Sequence, residues 1–65
     1  MKIDVHKIKI ILAERGMTRT VLAAESGISR PNISTILTRG TCEILTAGKL
    51  AKGLGIPVAE IVVED

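Results

Sequence analysis

An all-α fold of five short helices is predicted for this 65-residue sequence by two features. Apolar residues recur at three- and four-residue intervals, the period of an amphipathic helix. Capping residues precede these runs, and glycines close four of them, the punctuation expected at helix ends.

Asp4 is a plausible N-cap for the first helix, whose stripe is Val5, Ile8, Ile11 and Leu12. Ile10 falls off that stripe. Gly16 supplies the stop, with Arg15 in the last turn. Thr18 caps a second helix carrying Val21, Leu22 and Ala24, which ends before Gly27. Ser29 caps a third, with Ile33, Ile36 and Leu37 inside. Pro31 lies in its first turn, where a missing N–H costs nothing. Pro31 also disfavours a helical Arg30, which moves the start by up to one residue. Gly40 ends this helix, and Thr41 to Leu45 reads as a loop. Thr46 then caps a fourth helix carrying Ala47, Leu50, Ala51 and Leu54, closed by Gly55. A last short helix starts near Pro57 and holds Val58, Ile61 and Val62.

The chain is a single domain spanning residues 1–65, without repeat or linker. A domain this short buries only about 60% of its unfolded surface, so its core is marginal. Its single cysteine, Cys42, excludes an internal disulfide. A lone histidine, His6, far from Cys42, leaves no metal-ligand spacing. Helix packing and oligomerisation remain as sources of stability. Aromatic residues are absent, which argues against binding single-stranded nucleic acid by base stacking.

Residues 1–52 carry nine Lys/Arg against Asp4, Glu14, Glu25 and Glu43, a balance of +5, whereas residues 53–65 carry only Glu60, Glu64 and Asp65, a balance of −3. A basic body with an acidic end fits a protein that turns one side to a polyanion. No apolar run approaches the roughly 18 residues of a membrane span. The start, MKIDVHKIK, lacks the apolar stretch of a signal peptide, so a cytoplasmic protein is expected.

The second and third helices meet around Gly27 through a turn of about four residues, the layout of a helix-turn-helix over roughly residues 19–38. The chain reverses there, with no room expected for a Cβ and a positive φ required. Ala23 lies four residues earlier, where a small side chain lets the helices approach. Leu22, Ile28, Ile33 and Ile36 are the apolar pins that hold the angle. These six positions together form a specific pattern.

The stretch MTRTVLAAESGISRPNISTILTRG resembles the Cro/repressor (XRE) helix-turn-helix family, and LTAGKLAKGLGIPVAEIV resembles its fourth and fifth helices. The similarity runs from about Ile8 to Val62. It implies a compact five-helix, lambda-repressor-like domain, transcriptional control, and a two-fold dimer on an operator. Two departures stand out. Many members pair an Arg in helix 1 with a Glu near the end of helix 3, but Leu12 and Leu37 occupy those positions. A hydrophobic contact thus replaces a buried ion pair, an exchange that is often neutral or stabilising. The segment between Ile36 and Gly40 is also one residue longer than the common pattern.

Within that resemblance the third helix enters the major groove. Arg30 either holds guanine O6 and N7 in two hydrogen bonds or contacts a phosphate. Asn32 reads adenine or a phosphate, Thr35 touches a base or a thymine methyl, and Pro31 packs on a thymine methyl. Ser34 is a weaker candidate. Thr18 and Arg19, at the front of the second helix, face the DNA backbone, where free N–H groups favour a phosphate. Ser29, Thr38, Arg39 and Thr41 complete the expected phosphate contacts, with the extra residue leaving the order of the last three open. Lys49 and Lys52 read as solvated charges, and His6 as a surface residue. Cys42 reads as a small loop residue.

Ile10, Ile61, Val62 and Val63 exceed the needs of this core. Two readings cover the excess. One is a short extended segment, Lys2 to Asp4, beside Ile61 to Glu64. The other is a homodimer interface at Ile61, Val62 and Val63, which would set two recognition helices about one DNA turn apart on a palindromic operator. The leading function is that of a small sequence-specific repressor of transcription that binds double-stranded DNA. The competing one is a protein-interaction module, such as an antitoxin or adaptor. No paired carboxylates, Cys–His pair or phosphate loop point to an enzyme, and no cofactor or small-molecule ligand is indicated.

Overall fold

The computed structural model describes residues 1–63. The elements run β1 (Lys2–Ile3), α1 (Val5–Arg15), α2 (Arg19–Ser26), α3 (Arg30–Arg39), α4 (Ile44–Leu54), a 3₁₀ turn (Val58–Glu60) and β2 (Val62–Val63).

Local chemistry sets the first three helix starts as expected. The Asp4 carboxylate accepts from the Lys7 N–H at 2.9 Å, and the Thr18 and Ser29 hydroxyls accept from Val21 and Asn32 N–H at 3.2 and 3.3 Å. Each bond satisfies a donor that the first helical turn leaves without a partner. All four α-helices stop at a glycine.

Two elements depart from the sequence reading. The fourth helix starts at Ile44, not at Thr46, and its flanking residue Glu43 makes no side-chain cap. Thr41–Leu45 therefore shrinks to a three-residue connection. The fifth helix is absent: one 3₁₀ turn, Val58–Glu60, takes its place, and the chain then becomes extended. The fold is four α-helices with a small antiparallel sheet rather than five helices. Here the β-branched residues Val62 and Val63 favour the extended form once a partner strand is present.

That partner is the N-terminus. Lys2 pairs with Val63 and Ile3 with Val62. The extended pairing read for the two ends thus holds for these residues, while Glu64 lies outside the described residues. On its other edge β1 bridges to Thr41, with the Ile3 N–H donating to the Gly40 carbonyl and the Cys42 N–H to the Met1 carbonyl, both at 3.0 Å.

The core is one cluster. Ile8, Leu22, Ile33, Leu50, Leu54 and Ile61 are its largest fully buried side chains. Each contributes about 1.5–3 kcal/mol by leaving water. Leu12 and Leu37 are both buried in it, as expected for an apolar replacement of the family's ion pair. Ile10 faces solvent. Ile61, expected at a dimer interface, is fully buried in its own chain's core.

Two glycines position α2 for its neighbours, for different reasons. Gly27 takes φ 72°, which explains the glycine at the turn, but a Cβ there would meet nothing within 4 Å. The expected lack of room is therefore not the reason; the left-handed backbone is. The tight contact sits elsewhere. A Cβ on Gly53 would lie 2.9 Å from the Ser26 Cβ, so α4 rides directly against the end of α2.

Candidate nucleic-acid interface

Helix α3 buries Ile33, Ile36 and Leu37 and exposes the rest of its circumference. A 100° step per residue places Pro31, Thr35 and Thr38 along the middle of the outer face. Arg30 and Ser34 flank it on one side, Asn32 and Arg39 on the other. Every one of these residues is exposed except Ser34, which is half-buried. α3 begins at Arg30 itself, so Pro31 did not displace the start.

The hydroxyls on this face are already committed. Thr35 Oγ1 donates to the Pro31 carbonyl at 3.0 Å, and Thr38 Oγ1 to the Ser34 carbonyl at 2.9 Å. Each therefore offers outward a methyl group and oxygen lone pairs, not a free proton. Such a face suits a thymine methyl or a base amino group better than a phosphate oxygen, which needs a donor. For Thr38 to donate to a phosphate, its bond to Ser34 must open.

The flanks carry the cations. Arg19, the first residue of α2, reaches across to α3, its Nη1 donating to Ser34 Oγ at 3.4 Å. It thereby stands beside α3 next to the Thr18 cap. On the other flank an open cleft of about 580 Å³ separates α3 from the start of α4. Ser29, Asn32, Thr35 and Arg39 form one wall; Thr41, Glu43, Thr46 and Lys49 form the other. A shallower recess of about 250 Å³ is shared by Ser34, Thr35, Thr38 and Arg39.

Nine of the ten residues expected to contact DNA lie on α3, at its cap, on the Arg19 flank or along this cleft; Thr18 sits at the α2 cap beside Arg19. Lys49 was read as a solvated charge, yet it lines the cleft opposite Arg39. Cys42 also lines the cleft, and burial raises its thiol pKa above the ordinary value.

The pair α2–α3, joined at Gly27 with a polar, cation-flanked second helix, is the geometry of a helix-turn-helix. A family model described as a Cro/C1-type HTH DNA-binding domain matches residues 7–63. The chain belongs to that family. The Cro/C1-type domain thus accounts for all of α1 but its first two residues and extends through β2, and it makes the polar face of α3 part of a DNA-binding unit. No curated protein and no solved structure matches the chain. No helix among the described residues is long and apolar enough to cross a membrane.

The dimer residues expected from the sequence separate in the fold. Ile61 is internal; Val62 shares the inward face of the sheet with buried Ile3; Val63 alone is exposed, at 41%. The most exposed apolar groups lie elsewhere, at Ile44 (53%) and Leu45 (77%) in the first turn of α4. Sequence reading placed Leu45 in a loop and missed both.

Proposed function

We propose that this Cro/C1-type domain is a sequence-specific double-stranded DNA-binding regulator that represses transcription with α3 in the major groove. The observation that carries the reading is the division of labour around α3: an outer face of methyl groups and acceptors between two cationic flanks. Phosphate contacts supply affinity and register, and base edges supply sequence. Arg30 grips guanine through O6 and N7. Asn32 reads adenine. Pro31 and Thr35 meet thymine methyls. Thr18 and Arg19 take phosphates on one flank; Ser29, Arg39 and Thr41 take them on the other, with Thr38 as a reserve that requires its internal bond to open.

The finer reading is a homodimer on a palindromic operator, since a two-fold axis repeats one half-site. The exposed apolar residues Val63, Ile44 and Leu45 support this reading.

Selection of bound sequences from random duplexes, followed by a salt titration on the winner, tests this. A palindrome whose affinity falls steeply with salt is the expected result. Salt-independent affinity, or no enriched sequence, overturns the reading and favours a protein-binding module of the antitoxin or adaptor kind.

A further inference from the structure

We infer that Lys2, in the N-terminal strand, is a DNA-phosphate contact that extends the Arg39–Thr41 flank. The inference rests on the DNA-binding reading above.

The register carries it. Lys2 lies opposite Thr41 in an antiparallel bridge, and the hydrogen bonds around the pair run from Ile3 N–H to the Gly40 carbonyl and from Cys42 N–H to the Met1 carbonyl. Those donors and acceptors belong to the neighbours of Lys2 and Thr41, not to the pair itself. This is the non-hydrogen-bonded site of an antiparallel ladder, where Cα atoms are about 4.5 Å apart and side chains stand closest. Residues directly opposite in such a ladder project to the same face. Ile3 points into the core. Alternation then turns Lys2 outward, next to Thr41.

Thr41 lines the cleft that holds Arg39, Asn32 and Lys49. The Lys2 side chain is exposed and lies opposite Thr41, a residue of that lining. An ammonium on a four-carbon stem reaches several ångströms further, which suits a phosphate path passing Arg39 and Thr41. Lys2 lies 39 positions before Thr41 in the chain, so only the strand pairing brings the two together. A lysine on the outer face of a short sheet also serves simply as a solvated charge. The two roles separate by experiment, because only one of them is coupled to salt.

The test uses the full chain and its selected duplex, with Lys2→Gln, Lys2→Arg and Arg39→Gln as variants. Loss of one phosphate contact removes about 0.9 from the log–log salt slope and lowers affinity about three- to tenfold near 0.1 M salt. The expected result is that loss in Lys2→Gln, equal for specific and unrelated duplexes, with near-parental binding in Lys2→Arg and unchanged melting temperatures. A Lys2→Gln slope equal to that of the parent, while Arg39→Gln still lowers it, overturns the role of Lys2 alone. Binding by the parent that does not respond to salt overturns the DNA reading instead.

Discussion

Gly53 and Ser26 meet backbone to backbone: a Cβ on Gly53 would fall 2.9 Å from the Ser26 Cβ and 3.0 Å from its nitrogen. This contact fixes how closely α4 approaches α2, and so where the cleft beside α3 opens. Ser26 is itself buried, its hydroxyl donating to the Ala23 carbonyl and accepting from the Ile28 N–H, both at 3.4 Å.

Two glycines of α4 should therefore respond oppositely to alanine. Gly53→Ala forces backbone apart and should destabilise the fold by about 1–3 kcal/mol, less what alanine returns in helix propensity. Gly48→Ala meets open space and should stabilise it by about 0.5–1 kcal/mol. Urea unfolding of both variants checks this; a stabilised Gly53→Ala contradicts the close contact.

The two arginines at either end of α3 should give distinct binding phenotypes. Arg30→Ala should cost about 1–3 kcal/mol at the specific site and relax preference at one base pair. Arg39→Ala should weaken all duplexes alike and lower the salt slope by about one. Competition binding against a panel of single-substituted operators reads both, and the reverse assignment would overturn the roles.

Ile61, expected at an interface, is buried in the core, whereas Leu45, expected in a loop, is an exposed apolar residue of α4. Ile61→Ala opens a cavity in the core and should cost about 2–5 kcal/mol. Leu45→Ser removes an exposed side chain and should leave chemical stability of the monomer within about 0.5 kcal/mol. Sedimentation of the folded Leu45→Ser variant should reveal weakened self-association; association equal to that of the parent would remove Leu45 from the dimer surface.

Cys42 should be a slow thiol. Burial raises its pKa, which leaves less thiolate near neutral pH, and thiolate is the reactive form. Alkylation by iodoacetamide at pH 8 should run slower in the folded protein than in urea. Equal rates would contradict the half-buried position.

The exposed ion pair of Lys7 and Glu60, with Nζ and Oε2 2.6 Å apart, should lose its effect on the acid side. The hydrogen bond from Lys7, then its charge, lowers the Glu60 pKa from its usual value. A lowered folded-state pKa stabilises above the unfolded pKa and ceases to do so as pH falls through the folded one. The stability difference between the parent and Lys7→Met should therefore shrink toward zero as pH drops below the carboxylate range. A difference that persists at low pH points to the Lys7 stem rather than the ion pair.

Much of this protein is written locally in its chain. Asp4, Thr18 and Ser29 start helices because their side chains reach N–H groups three residues away, and glycines stop them, so the first three helices follow from spacing alone. The outer face of α3 is legible for the same reason: the helical step sorts Ile33, Ile36 and Leu37 inward and Arg30, Pro31, Thr35 and Arg39 outward. The tertiary structure decided what depends on distant partners. Residues 61–63 have no intrinsic commitment to helix; Val62 and Val63 become strand because Ile3 and Lys2 arrive to pair with them. The chain is held there with Ile61 in the core, and the other edge of β1 bridges Lys2 to Thr41. The reason is the range of the forces involved. Caps and helical hydrogen bonds act over three or four residues, whereas β pairing and close helix contacts such as Gly53 on Ser26 join positions that no local pattern connects.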